Sequence, residues 1–327
     1  TAVPGSGLIF EGEGTAAYMV FTLPHSFQGS VRARAGDRAG NSAKNWTQTK
    51  GVLIESAEMH GKTSRAEVFP EGKSGARGNF YREDVHLKFV MEDSFSGIRS
   101  IRIQAGNQRM EEDFEEEGKE IRRLAEQILT IPAAENNQNE ISVSGSLTDF
   151  AGHTTELKDI PVIHIDTSSP KIEVEWLNKN VQNEKYYRAD QTAHITIRER
   201  NFVPEQVQLE LTGMEDTSLS WRHRPGEGCG GSSDPESLHH SDDCAWSADL
   251  LFDRDGEYSF GISCQDAAGN RGSYEKTDTF VIDKTSPVLL VHWDNSEAVN
   301  GRYYSGERSA VVEVKERNLL PEDLKVS

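Results

Sequence analysis

The chain has 327 residues, 35% hydrophobic and 27% charged, and its 35 Lys+Arg against 54 Asp+Glu leave a formal net charge of −19. Neutralising phosphates takes a basic face, so this balance excludes nucleic acid as a partner and disfavours anionic membrane surfaces. No apolar run approaches the ~20 residues of a membrane span, and the length suits two or three domains with thin cores.

In chain order, residues 1–54 read as the closing strands of a repeat unit around the turn Asp37-Arg38-Ala39-Gly40-Asn41. A second, diverged unit spans 55–165. Its Tyr81-Arg82-Glu83-Asp84 answers to Tyr187-Arg188-Ala189-Asp190, Asp93 falls opposite Glu199, and Asp149-Phe150-Ala151-Gly152-His153 closes it. Between 110 and 128, a Glu-rich run with Lys119, Arg122 and Arg123 places Phe114, Ile121, Leu124, Ala125 and Ile128 near helical spacing. That pattern predicts a short helical insertion with a solvated face.

Residues 166–282 read as one complete unit. Ile172, Val174 and Trp176 alternate, as do Ala193, Ile195 and Ile197, then Val207, Leu209 and Leu211. After a polar loop over 213–243, Trp246, Ala248, Leu250 and Phe252 alternate, then Tyr258, Phe260, Ile262 and Cys264. The turn Asp266-Ala267-Ala268-Gly269-Asn270 leads into a last strand ending at Ile282. About seven period-two strands without an amphipathic helix predict a two-sheet sandwich. Residues 283–327 open a further unit. The register is strict: Asp166 and Asp283, Tyr186 and Tyr303, Glu199 and Glu316, Pro204 and Pro321 all stand 117 positions apart. The fold class is all-β, a tandem array.

Asp255-Gly256-Glu257-Tyr258 resembles the tyrosine corner of immunoglobulin-like (Ig-like) domains, with Tyr258 as the corner residue and Phe260 where antibody domains carry cysteine. Together with the Ile-Asp-x-Thr-Ser-Pro linker, the Tyr-Tyr segment and the Glu-Arg-Asn turn, it resembles the tandem Ig-like repeats of large Gram-positive cell-surface proteins. The resemblance implies a non-catalytic, extracellular spacer, stalk or adhesion segment at the cell surface or wall. The expected partners are neighbouring units of the parent chain, with host or glycan ligands. The alternative is a carbohydrate- or ligand-binding accessory module of a secreted multidomain enzyme.

Enzymatic signatures are missing: there is no Gly-x-Ser-x-Gly, His-Glu-x-x-His or phosphate loop. The recurrent polar residues are those of the turns, Asp37, Gly40, Asn41, Asp149, Gly152, Asp266, Gly269 and Asn270. Asp suits capping of turn amides and Gly a positive φ. The competing reading takes Asp149, Asp166, Asp266 and Asp283 as hard oxygen donors for Ca²⁺ at unit junctions, the one cofactor considered. Cys229, Cys244, His223, His239 and His240 lack the paired spacing of zinc sites, so no metal centre is expected there. Cys244 and Cys264 share core parity and stand equally far from the turn near Arg254, which predicts a disulfide across the sandwich worth roughly 3 kcal/mol. The rival pair is Cys229–Cys244, stapling the Gly-rich loop.

Overall fold

The computed structural model describes residues 22–75, 77–114, 121–215, 217–224, 244–293 and 299–326. The chain divides into two units, Thr1–Thr167 and Ser168–Ser327. Among the described residues no helix is long and apolar enough to cross a membrane.

The first unit opens with short ladders. Strand β1 (Gln28–Gly29) pairs with β4 (Val52–Leu53), and β2 (Arg32–Ala33) with β3 (Thr47–Gln48). A short helix, α1 (Ala57–Thr63), follows, its first turn capped by the Ser56 side chain, which accepts from the Met59 N–H at 3.3 Å. The sandwich then comprises β5 (Ser64–Glu71), β6 (Phe80–Tyr81), β7 (Val85–Asp93), β8 (Ile98–Ala105), β9 (Gln108–Asp113), β10 (Leu124–Ile131), β11 (Gln138–Ile141), β12 (Val143–Asp149), β13 (Thr154–Glu156) and β14 (Ile163–Ile165). One sheet runs β10-β7-β5, the facing one β13-β12-β8-β9, and β14 joins β11 to β6. Leu87, Phe89, Met91, Ile101, Ile103 and Leu147 fill the space between them.

The helical insertion expected over 110–128 does not form within the described residues: β9 and β10 occupy both flanks, and 115–120 lie outside the description. Of the residues at helical spacing, Leu124 and Ile128 are 50% and 56% exposed, whereas the buried Ala125, Leu129 and Ile131 share the parity of one strand face. Period two governs because β10 pairs antiparallel with β7 over all eight of its residues, Leu124↔Glu92 to Ile131↔Val85. Packing against that strand overrides the helix propensity of the Glu-rich run.

The second unit comprises β15 (Lys171–Trp176), β16 (Val181–Gln182), β17 (Tyr186–Tyr187), β18 (Gln191–Arg198), β19 (Val207–Thr212), β20 (Arg222–Arg224), β21 (Ala245–Phe252), β22 (Gly256–Gln265), β23 (Arg271–Ser273) and β24 (Asp278–Ile282). Its sheets run β15-β18-β21-β20 and β16-β17-β24-β22-β19. Named A to G by their order, the seven main strands form ABED against CFG, the immunoglobulin constant-type arrangement. A last hairpin of β25 (Val288–Trp293) and β26 (Ala310–Lys315) pairs Trp293 with Ala310. That is the β15–β18 register, Trp176↔Ala193, reproduced 117 positions later.

One strand changes sheet between the units. In the second, β20 pairs with β21; in the first, β9 pairs with β8 instead of β10. Turn length decides this. Gly106-Asn107 joins Ala105 to its partner Gln108, with Gly106 at φ +55°, and a two-residue hairpin forces adjacent strands together.

Candidate functional site

In both units the core-facing rows run one step past their apolar residues and end on acids. Val85, Leu87, Phe89, Met91 and Asp93 share one face of β7, and Val143, Leu147 and Asp149 one face of β12; all are buried. In the second unit Glu199 continues the row of Ala193, Ile195 and Ile197, and Asp266 that of Tyr258, Phe260, Ile262 and Cys264. Period-two geometry therefore delivers carboxylates to one end of each core.

The second unit binds its acids with turn donors. Asp266 Oδ1 accepts from the N–H groups of Gly269 (2.7 Å) and Asn270 (2.8 Å), and Oδ2 from the Asn270 side-chain amide at 2.8 Å. Glu199 Oε1 accepts from the Asn201 N–H at 2.7 Å. The exposed Asp37 repeats the pattern with Ala39 and Asn41, and the Asn41 side-chain bond, its largest influence, holds the Asp37 carboxyl below its ordinary range. Gly40, Gly152 and Gly269 take φ of +90°, +92° and +95°, a region that favours glycine. The Tyr258 hydroxyl donates to the Arg254 carbonyl at 2.7 Å, the tyrosine-corner bond, and burial raises its pKa.

The first unit has different chemistry at the same place. Asp149 Oδ1 accepts from the His153 N–H at 2.8 Å, while its Oδ2 lies 3.1 Å from His153 Nδ1 and 2.8 Å from His60 Nδ1. His60, on α1, also lies 3.8 Å from Asp93 and 3.9 Å from Glu55, both with fully buried side chains. Its Nε2 meets the Thr155 hydroxyl at 2.7 Å. Asp93 accepts from the Ser64 hydroxyl (2.6 Å) and the Gly97 N–H (2.5 Å), and Glu55 from the Thr63 hydroxyl (3.1 Å).

Of the calcium candidates, Asp149 thus finds its acidic neighbours, Asp93 and Glu55, inside its own unit. Asp166 is buried at the end of the first unit, its N–H bonded to the Tyr81 carbonyl at 2.8 Å. Asp266 lies within 4.8 Å of Glu199. Asp283 faces an amide, accepting from Asn318 Nδ2 at 2.6 Å. Sequence reasoning passed over Glu55, His60, Asp93 and His153 as ligands. The available signal was His153 standing where the third turn has Asn270, and a short helix carrying His60 where the later linkers have Ser-Pro.

The Cys244–Cys264 disulfide does not form: Cys264 is a free, buried thiol. Cys244 leads into β21 and Cys264 lies in β22, and these strands pair with different partners in opposite sheets. Equal counting from Arg254 sets them at similar heights but leaves the roughly 10 Å sheet separation to cross, against a Cβ–Cβ span of about 4 Å. Cys229, of the rival pair, lies outside the described residues. Burial, then the nearby Glu199 and Asp266 charges, push the Cys264 thiol up to about 12. Cys264 should therefore resist alkylation in the native chain at pH 8 and react once denatured. Labelling at a free-thiol rate in the native chain would contradict this. Because the folded thiol ionises above the ordinary 9.0, its stabilising effect is complete below pH 9 and declines between about 9 and 12.

No protein-family model matches the chain. No curated protein matches it either. Among solved structures, the fibronectin(III)-like modules of Clostridium thermocellum CbhA are similar at 10% identity and TM-score 0.26, covering 66% of this chain and 92% of that one. A β-glycosidase from Bacteroides vulgatus is similar at 10% identity and TM-score 0.17, covering 70% of this chain and 27% of that one. The Ig-like assignment rests on strand order and register.

A groove beside β19 is lined by Glu205, Leu209, Leu211, Leu219 and Trp221 and encloses about 430 Å³. Trp221 packs edge-on against Phe202 at 5.1 Å, leaving part of its ring at the surface. Trp176, by contrast, sits among Phe252, Phe260 and Phe280.

Proposed function

We propose that the chain is a non-catalytic segment of a tandem Ig-like array in a large bacterial surface protein, working outside the cell as a spacer or adhesion stalk. The β15–β18 ladder register returning 117 positions later in β25–β26 carries this reading. What repeats is scaffold: core rows, linker and turn carboxylates engaged by local amides. A spacer holds its ends apart, which solution scattering tests. One compact domain of this length has a radius of gyration of roughly 20 Å; a stalk should exceed about 25 Å, and a value near 20 Å would end the spacer reading.

The groove at Trp221 favours a second reading, a carbohydrate-binding accessory module, because a partly exposed indole beside Leu209, Leu211 and Leu219, with Glu205 at hand, suits a sugar's mix of apolar face and hydroxyls. Glycan-array binding lost in Trp221→Ala would support it. No binding by the intact chain would remove it.

A further inference from the structure

We infer that the cluster of Glu55, His60, Asp93, Asp149 and His153 is a binding site for a first-row divalent transition metal, zinc fitting its donors best. Two imidazoles with carboxylates match zinc ligation, whereas calcium takes an all-oxygen shell. Donors each about 2.1 Å from a tetrahedral ion stand about 3.4 Å apart. The separations here, 2.8, 3.1, 3.8 and 3.9 Å, bracket that spacing, and the donors form two overlapping sets, each within 4.8 Å: His60-Asp149-His153 and Glu55-His60-Asp93-Asp149, with His60 and Asp149 common to both.

Unmet polar atoms point to the ion independently of the acids. His60 Nδ1 makes no hydrogen bond although Asp149 Oδ2 is 2.8 Å away, because the angle is wrong for one; Glu55 Oε2 has no partner either. In the tautomer whose Nε2–H donates to Thr155, Nδ1 presents a lone pair to three buried carboxylates. Burying such groups together is costly unless a cation sits among them. The surrounding bonds match the outer shell of a metal centre: Thr155 orients His60, Ser64 and Gly97 hold Asp93, and Thr63 holds Glu55. The His153 side chain, 26% exposed, provides the way in. In the second unit Asn270, whose amide donates to Asp266, occupies the place of His153, so that turn offers no second imidazole.

The test is calorimetric titration of the chelator-treated full chain with ZnCl₂ and separately with CaCl₂ at pH 7.5. We expect a zinc site of one ion per chain, with calcium at least about 100-fold weaker. His153→Ala, at a partly exposed position, should abolish that site. Thr155→Val should weaken it about 10-fold, as loss of an outer-shell partner does. Cobalt loading should give visible absorption bands that disappear in His153→Ala. Calcium binding as tightly as zinc, zinc binding unaltered by His153→Ala, or no zinc binding by a folded chain would each overturn the assignment.

Discussion

Replacing Trp246 by alanine should melt the second unit far below its normal temperature while leaving the first unit's transition in place. The indole is 1% exposed, stacks on Phe202 at 5.4 Å and lies 4.7 Å from the His223 ring. Its Nε1–H donates to the Glu199 carbonyl at 3.1 Å. Removing a buried Trp costs about 3–5 kcal/mol through lost transfer energy and the cavity left behind. Losing the donor to a buried carbonyl adds about 1 kcal/mol or more. The sum, about 4–6 kcal/mol, reaches the lower end of a small domain's whole stability, about 5–15 kcal/mol. Trp246→Phe keeps most of the volume and should isolate the hydrogen-bond share. Calorimetry resolving two transitions provides the check. A second-unit shift equivalent to less than about 1 kcal/mol would show that this indole does not organise the core.

The same residue shows why the second unit was legible from sequence. Trp246, Ala248, Leu250 and Phe252 alternate, and each is buried between the sheets as that alternation requires. Turns were legible because Asp and Gly at fixed offsets have local geometric reasons to be there. Where a feature depended on residues distant in the chain, local reading failed. The run before Ile131 looked helical because its charges and propensity are local properties, whereas its pairing with β7 is not. Gly106-Asn107 was a readable hairpin signal that the stronger-looking Glu-rich pattern masked. Parity and distance from a turn place Cys244 and Cys264 on inward faces at similar heights, and neither measures the gap between sheets. The histidine cluster joins residues from the linker helix, the end of β7 and the turn after β12, and only the fold brings these together.

The Asp-containing turn poses the sharper energetic question, because one motif occurs in three surroundings. Asp266→Ala should destabilise the second unit by roughly 2–5 kcal/mol, whereas Asp37→Ala should leave melting unchanged. Both carboxylates accept two backbone N–H groups and one Asn side chain. Asp37 is exposed, so water replaces what it loses. Asp266 is fully buried, and hydrogen bonds to a charged acceptor contribute about 1.5–3 kcal/mol each. Like-charge repulsion from Glu199, within 4.8 Å, offsets part of that loss, which puts the expected cost below the sum of three such bonds. Asp266→Asn should fall between, since its carbonyl still accepts the two backbone donors while its amide confronts the Asn270 amide. Chemical denaturation of the three variants measures the differences. Equal effects at Asp37 and Asp266 would mean that the motif itself, rather than its burial, sets the energy.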